Sequence, residues 1–347
     1  MKRNITTVIL LTVLVSCMVA CGSAQSDTKS EIAASTEEPA TARKQEEDIE
    51  KASADALTNS DEKVSEEVSD DQEVSILEDN VFQGPKDKTV ITFDIPEGTT
   101  IINTNAFEGC YDLKEITIPN SVKEIREQAF LNNSSLTDIT IPDGCEKIGL
   151  MAFAGCTSLT NVVLPESIKE IDDQAFAGCV SLKSISMPKE LETLGDACFH
   201  ECHALTSISI PSGIDKLGQM FEYCYDLSDI KIPEGVTTLN GTFYGCSALK
   251  HIELPDSLKT IGDNTFAETG LEELTIPDDV NNIGGWAFSN CHNLDITLSG
   301  SISNIGNAAF FGCKSVAVPQ AVLDSLKISK EAFGEAYTNG ADVKVID

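Results

Sequence analysis

The sequence predicts a repeat solenoid with one short parallel β-strand per coil. Two observations carry the prediction. Prolines stand at 96, 119, 142, 165, 188, 211, 233, 255 and 277, first 23 and later 22 residues apart. Phenylalanines keep the same beat at 107, 130, 153, 176, 199, 221, 243, 266, 288, 310 and 333. Self-similarity at one period of this length is the mark of stacked supersecondary units, each unable to bury its own apolar face alone.

The repeated phrase is clearest as Leu113-Lys-Glu-Ile116-Thr-Ile118-Pro119-Asn-Ser-Val122-Lys-Glu-Ile125-Arg-Glu-Gln-Ala129-Phe130. In Leu-x-x-Ile-x-Ile the last two apolar residues alternate with a polar one, as in a short half-buried strand, and proline ends it by withdrawing a ladder donor. Val122 and Ile125 bring the chain back across the core. The Ala-Phe that follows inserts a ring between neighbouring coils. About eleven coils fill residues 76–347, with atypical ends: the coil from Ile91 to Phe107 lacks the leucine, and residues 321–347 drift out of phrase.

The wording Ile-Pro-x-x-Val-x-x-Ile-Gly-x-x-Ala-Phe-x-x-Cys, whose central part is closely matched by Ile148-Gly149 through Cys156, resembles the BspA-like family of leucine-rich repeats over about residues 82–333. The resemblance implies a leucine-rich-repeat fold, a microbial surface location and binding of a protein or polymer partner, in some members a host matrix protein or another cell. It fixes no contact residue.

Residues 1–21 read as an export leader. Lys2 and Arg3 form a basic start, and Ile5 to Val15 form an apolar run too short for a comfortable membrane span. Met18-Val19-Ala20-Cys21-Gly22-Ser23 then resembles a lipobox, which makes Cys21 the expected acylated residue; Leu14-Val15-Ser16-Cys17 is the competing frame. Lipid is therefore the expected membrane anchor, on the outer side of the membrane. Residues 22–75 contain no aromatic residue and no sustained apolar period, and are read as a disordered acidic stalk. Random-coil scaling gives it an end-to-end distance of about 40 Å.

With 24 basic against 56 acidic residues the chain carries a formal charge of -32, which repels a phosphate backbone and argues against nucleic acid as a partner. No nucleophile-base-acid set, phosphate loop or paired-carboxylate motif stands out, so the expectation is a binding protein with no enzyme activity, catalytic residue or cofactor. Eight of the 12 cysteines, at 110, 156, 179, 202, 224, 246, 291 and 313, sit three residues after the repeat phenylalanine, where Asn133 and Thr269 stand in two other coils. A small buried side chain is wanted there, and a ladder of free thiols is the leading expectation, with disulfides between neighbours the alternative. Cys198-Phe-His200-Glu-Cys202-His203 looks like a metal cluster, but Cys198 and Cys202 fall on core positions, while His200 and His203 fall on variable, presumed exposed ones. No metal site is expected.

The candidate partner-binding face is the set of residues between the apolar positions of each strand, expected on the concave sheet: Asp138 and Thr140, Asn161 and Val163, Ser184 and Ser186, Ser207 and Ser209, Asp229 and Lys231, His251 and Glu253. Glu115 and Thr117 precede them, and Glu273 and Thr275 follow. At ~4.8 Å between strands, ten coils give a face of roughly 45–50 Å, a length suited to a protein or polymer. It lacks aromatic platforms for stacking sugars. The leading function is adhesion or cell-surface interaction; the alternative is a structural or sensing lipoprotein that contacts cell-wall polymer or another exported protein.

Overall fold

The computed structural model describes residues 74–77 and 80–347. The leader, both candidate lipobox cysteines and the stalk up to residue 73 lie outside the described residues; the strand Val74–Leu77 begins within the last two residues read as stalk. Among the described residues no helix is long and apolar enough to cross a membrane.

About twelve turns of about 23 residues stack into a parallel β-solenoid. The expected strand is present as a three-residue segment in which an apolar residue points inward between two polar ones. Its front ladder pairs Thr92–Asp94 with Glu115–Thr117, Asp138–Thr140 with Asn161–Val163, and Ser207–Ser209 with Asp229–Lys231. Four strands close it, Glu273–Thr275, Asp295–Thr297, Ser315–Pro319 and Asp342–Ile346. Every front pair is parallel and in register, so equivalent residues of successive coils lie side by side.

A second ladder, at the back, accompanies this one. The residues before the repeat glycine, read from sequence simply as a return across the core, form two-residue strands: Ile101–Ile102, Glu124–Ile125, Lys147–Ile148, Glu170–Ile171 and Thr193–Leu194 pair successively. The back ladder resumes with Thr238–Leu239 and continues to Asn304–Ile305. The interruption begins where the link shortens: four residues separate Leu194 from Phe199, but three separate Leu217 from Phe221, and three again separate Leu239 from Phe243, where the ladder resumes. Only a single bridge, Leu217 to Leu239, spans the gap. The ring stack is kept there and the ladder gives way.

That stack is the spine of the core. All eleven repeat phenylalanines are fully buried, and consecutive rings from Phe107 to Phe310 lie 4.8 to 6.0 Å apart and nearly parallel. Beside them the cysteine ladder has a second role invisible in the repeat pattern. Each thiol from Cys156 on donates to the carbonyl of the phenylalanine in the preceding coil, as Cys179 Sγ does to Phe153 O at 3.3 Å and Cys246 Sγ to Phe221 O at 3.1 Å. Asn133 Nδ2 does the same toward Phe107 O at 2.9 Å, and Thr269 Oγ1 bonds Phe266 O at 2.8 Å. The position therefore selects a small side chain that can donate a hydrogen bond, which is why asparagine and threonine substitute for cysteine. All ten described cysteines are free and buried, including Cys145 and Cys198, which lie off the ladder.

The residue before the ladder cysteine adopts positive φ in coil after coil, as at Gly155 and Gly178, both at +71°. Glycine populates this region at little steric cost, which accounts for its recurrence there.

Both ends are capped differently from the middle. Val74–Leu77 runs antiparallel to Val81–Pro85, and Phe82 takes the place of the apolar strand residue, packed 5.3 Å from Phe107. At the other end the helix Gln320–Leu326, buried through Val322 and Leu323, and the turn bearing Phe333 replace the ordinary coil before the final strand.

Candidate partner-binding face

The structure places the twelve candidate residues on one surface. Asp138, Thr140, Asn161, Val163, Ser184, Ser186, Ser209, Asp229, Lys231, His251 and Glu253 are exposed and Ser207 is half-buried, while Ile139, Val162, Ile185, Ile208 and Ile230 between them are buried. Regular pairing lapses at Ser184–Ser186 and at His251–Glu253, yet the coils stay joined where the chain approaches the front: Thr206 N donates to Lys183 O and Glu272 N to Lys250 O, each at 3.1 Å.

The front face extends beyond Glu253. An open groove of about 790 Å³ is lined by His251, Glu253, Glu273, Thr275, Asp295 and Thr297, with Asp256 and Pro277 along its border. A smaller one of about 370 Å³ shares Asp295 and Thr297 and continues past Lys314 and Ala317 to Asp342 and Lys344. The sequence reading stopped short of Asp295 and Thr297 because Ser299 stands where the strand-ending proline is expected. The 22-residue beat locates them nonetheless, since they pair with Glu273 and Thr275. Lys314 and Ser315 donate to Asp295, which holds its carboxyl below the usual carboxylate range.

On the back, basic residues are tied to polar groups of adjacent coils: Lys147 lies 2.8 Å from Glu170 and 3.3 Å from Asp172, and Arg126 donates to the Asn103 amide oxygen at 3.0 Å. These groups brace the ladder.

His200, taken from sequence as exposed, is a correction. Its side chain is largely buried because it lies between Glu201, 3.4 Å from Nε2, and Glu222, 3.5 Å from Nδ1. Burial opposes its charge, but the two carboxylates outweigh burial and raise its pKa to about 9. His203 is half-buried and stacks on Tyr225 at 4.8 Å. Cys198 and Cys202 point into the core, as their repeat positions imply. Since the folded pKa of His200 exceeds its ordinary 6.5, the stabilisation it brings is fully present below pH 6.5 and is lost as pH rises through about 9. The destabilisation caused by His200→Gln should therefore be larger at pH 6 than at pH 10 by about 2–3 kcal/mol. Equal denaturant midpoint shifts at the two pH values would contradict this.

Stacked coils of 22–23 residues, a parallel strand at the same place in each and one continuous core define a leucine-rich-repeat solenoid. The chain belongs to the BspA type leucine-rich repeat family, whose model matches six copies over residues 75–171, 123–242 and 239–339. It is similar to the crystal structure of a leucine-rich repeat protein from Bacteroides ovatus ATCC 8483, with 28% identity, 81% of this chain and 77% of that one covered, and a TM-score of 0.68. It also aligns with the pneumococcal vaccine antigen PcpA, at 19% identity over 79% of this chain and 96% of that one, TM-score 0.47. A leucine rich cell surface protein from Faecalibacterium prausnitzii A2-165 aligns at 21% identity over 79% and 93%, TM-score 0.42. No curated protein matches the sequence.

Proposed function

We propose that the chain is a lipoprotein of the bacterial cell surface whose front face binds an extended protein or polymer partner, such as a host matrix protein, without catalysis. The observation that carries this reading is the front face itself, a run of outward side chains over successive coils, polar except at Val163, that opens into the groove from His251 to Lys344. Such a surface presents many weak polar contacts, so affinity comes from matching its length.

Placing charged bulk across it tests the reading. The double variant Ser184→Arg, Ser207→Arg should weaken binding to a partner recovered from matrix proteins or from the cell envelope by about tenfold or more, because unmatched groups are left desolvated. Glu192→Arg on the back should leave binding unchanged. Normal binding by the front pair, with folding confirmed by circular dichroism, sinks the proposal. Anchoring is tested separately: Cys21→Ala should abolish incorporation of a palmitate analogue, and retained label would assign the lipid to Cys17 or to no cysteine.

A further inference from the structure

A third surface is distinct from the two ladders. It is the edge formed by the wide turn around each phenylalanine, between the back strand and the next front strand. From three residues before the ring to five after it, the nine coils from Phe107 to Phe288 contain no lysine or arginine, yet they contain ten acidic residues. Among the described residues, Lys88 reaches the edge from outside at its N-terminal end, where its Nζ bonds the Ala106 carbonyl at 2.9 Å. This is unlike the front and back, where lysines pair with carboxylates at Glu272, Asp295 and Glu170.

The same edge holds the exposed aromatic residues. Tyr111, Tyr225 and Trp286 are 59%, 43% and 45% exposed, and no aromatic side chain other than His251 lies among the polar residues of the front face. In the coils of Phe199, Phe221 and Phe243 the rings gather: Tyr223 lies 5.0 Å from Tyr244 and 6.1 Å from Tyr225, which in turn packs on His203. Glu201 and Glu222 are engaged by His200 and fix the base of the cluster. Among the described residues Asp226 and Glu268, beside it, form no salt bridge with lysine or arginine, and Asp226 acts on the neighbouring His203.

We propose that this edge is a second interaction surface, which seats arginine side chains of a basic polypeptide on the tyrosines of these three coils. A guanidinium is planar and weakly hydrated; it stacks on a phenol ring while its N–H groups donate to a carboxylate at the ring's border. Tyr225 supplies an accessible face, and the exposed carboxylates of Asp226 and Glu268 supply acceptors at its border. The absence of lysine and arginine from the wide turns of nine coils, with His200 already committed to Glu201 and Glu222, extends the attraction along a chain of several basic residues, whereas a neutral glycan would gain nothing from it.

The test uses the full-length protein and fluorescein-labelled nona-arginine near physiological ionic strength, with nona-lysine and a deacetylated chito-oligosaccharide alongside. Tyr225→Ala should weaken nona-arginine binding by about fivefold and remove its advantage over nona-lysine, since stacking favours the planar group. Asp226→Asn with Glu268→Gln should weaken it by about tenfold, whereas the same loss of charge away from the edge and the front groove, at the exposed Asp215→Asn with Glu234→Gln, should change it by less than about twofold if binding is local. Circular dichroism confirms folding of each variant, and Tyr225→Phe, which keeps a ring, should retain binding. Equal weakening by the two acid pairs would show diffuse attraction to an acidic protein and overturn the proposal. Undiminished arginine binding by Tyr225→Ala would overturn it as well, and so would tighter binding of the chito-oligosaccharide at the same edge, which would make the partner a polysaccharide.

Discussion

Phe176→Ala should destabilise the described solenoid by about 3–5 kcal/mol, the range for removing a fully buried ring that leaves a cavity behind. Phe176 is stacked on both faces, 5.4 Å from Phe153 and 5.9 Å from Phe199, with interplanar angles of 4° and 5°. Its carbonyl also accepts the Cys202 thiol at 3.3 Å, and its N–H donates to Cys198 O at 3.0 Å. The surroundings cannot collapse into the void cheaply, because the backbones above and below are held at the spacing of the back ladder, where Glu170–Ile171 pairs with both neighbouring coils. Since each coil contacts only its neighbours, the loss weakens two interfaces at once and should split unfolding into N-terminal and C-terminal halves. Chemical denaturation followed by circular dichroism reads both effects. An unchanged midpoint would mean that the ring contributes no net packing.

The repeat made most of the core legible, since a period of 22–23 residues fixes which residues face inward regardless of how the coils curve. Phe93 in the position of Ile116, and Val90 in that of Leu113, show how the first coil fills the same places with different apolar groups. The back ladder was illegible because two-residue strands such as Glu170–Ile171 are too short for alternation to register. His200 was misjudged for a different reason. Its counterpart Ala177 is itself only 6% exposed, so the wide-turn edge is not uniformly exposed, and His200 enters it with two carboxylates, from the same and the following coil. Pair interactions between coils leave no periodic trace, and the aromatic edge escaped notice for the same reason: Tyr223, Tyr225 and Tyr244 occupy different places in the phrase and meet only when coils stack. The exposure of the front residues follows the strand alternation and so is legible in the sequence, while the groove at the C-terminal end depends on the fold as a whole.

The ten described thiols should be almost inert in the folded protein. Burial pushes Cys156 and Cys198 up to about 12 and Cys145 and Cys291 up to about 11, and it also raises Cys179, Cys202 and Cys246 far above the ordinary thiol range. Only the thiolate is nucleophilic, so at pH 8 a thiol raised by about three units reacts roughly a thousandfold more slowly than a free one before steric exclusion is counted. Hydrogen bonds reinforce this: each ladder thiol from Cys156 on is committed to a carbonyl of the coil before it, as Cys224 is to Phe199 O at 3.2 Å, and a bridge between neighbours would break such a bond. In a variant with Cys17 and Cys21 replaced by serine, a thiol-reactive dye should therefore label fewer than about one cysteine per native molecule in an hour, yet label all ten described cysteines in guanidinium without reductant. Rapid labelling of several thiols before unfolding would show that coils open locally, and fewer than ten after unfolding would show disulfides. Because asparagine and threonine satisfy the same position, Cys246→Thr should preserve both the fold and this protection. The ladder thus serves as packing with a hydrogen-bond donor, and the binding ascribed to the outer surfaces should survive both reductant and thiol-blocking reagents.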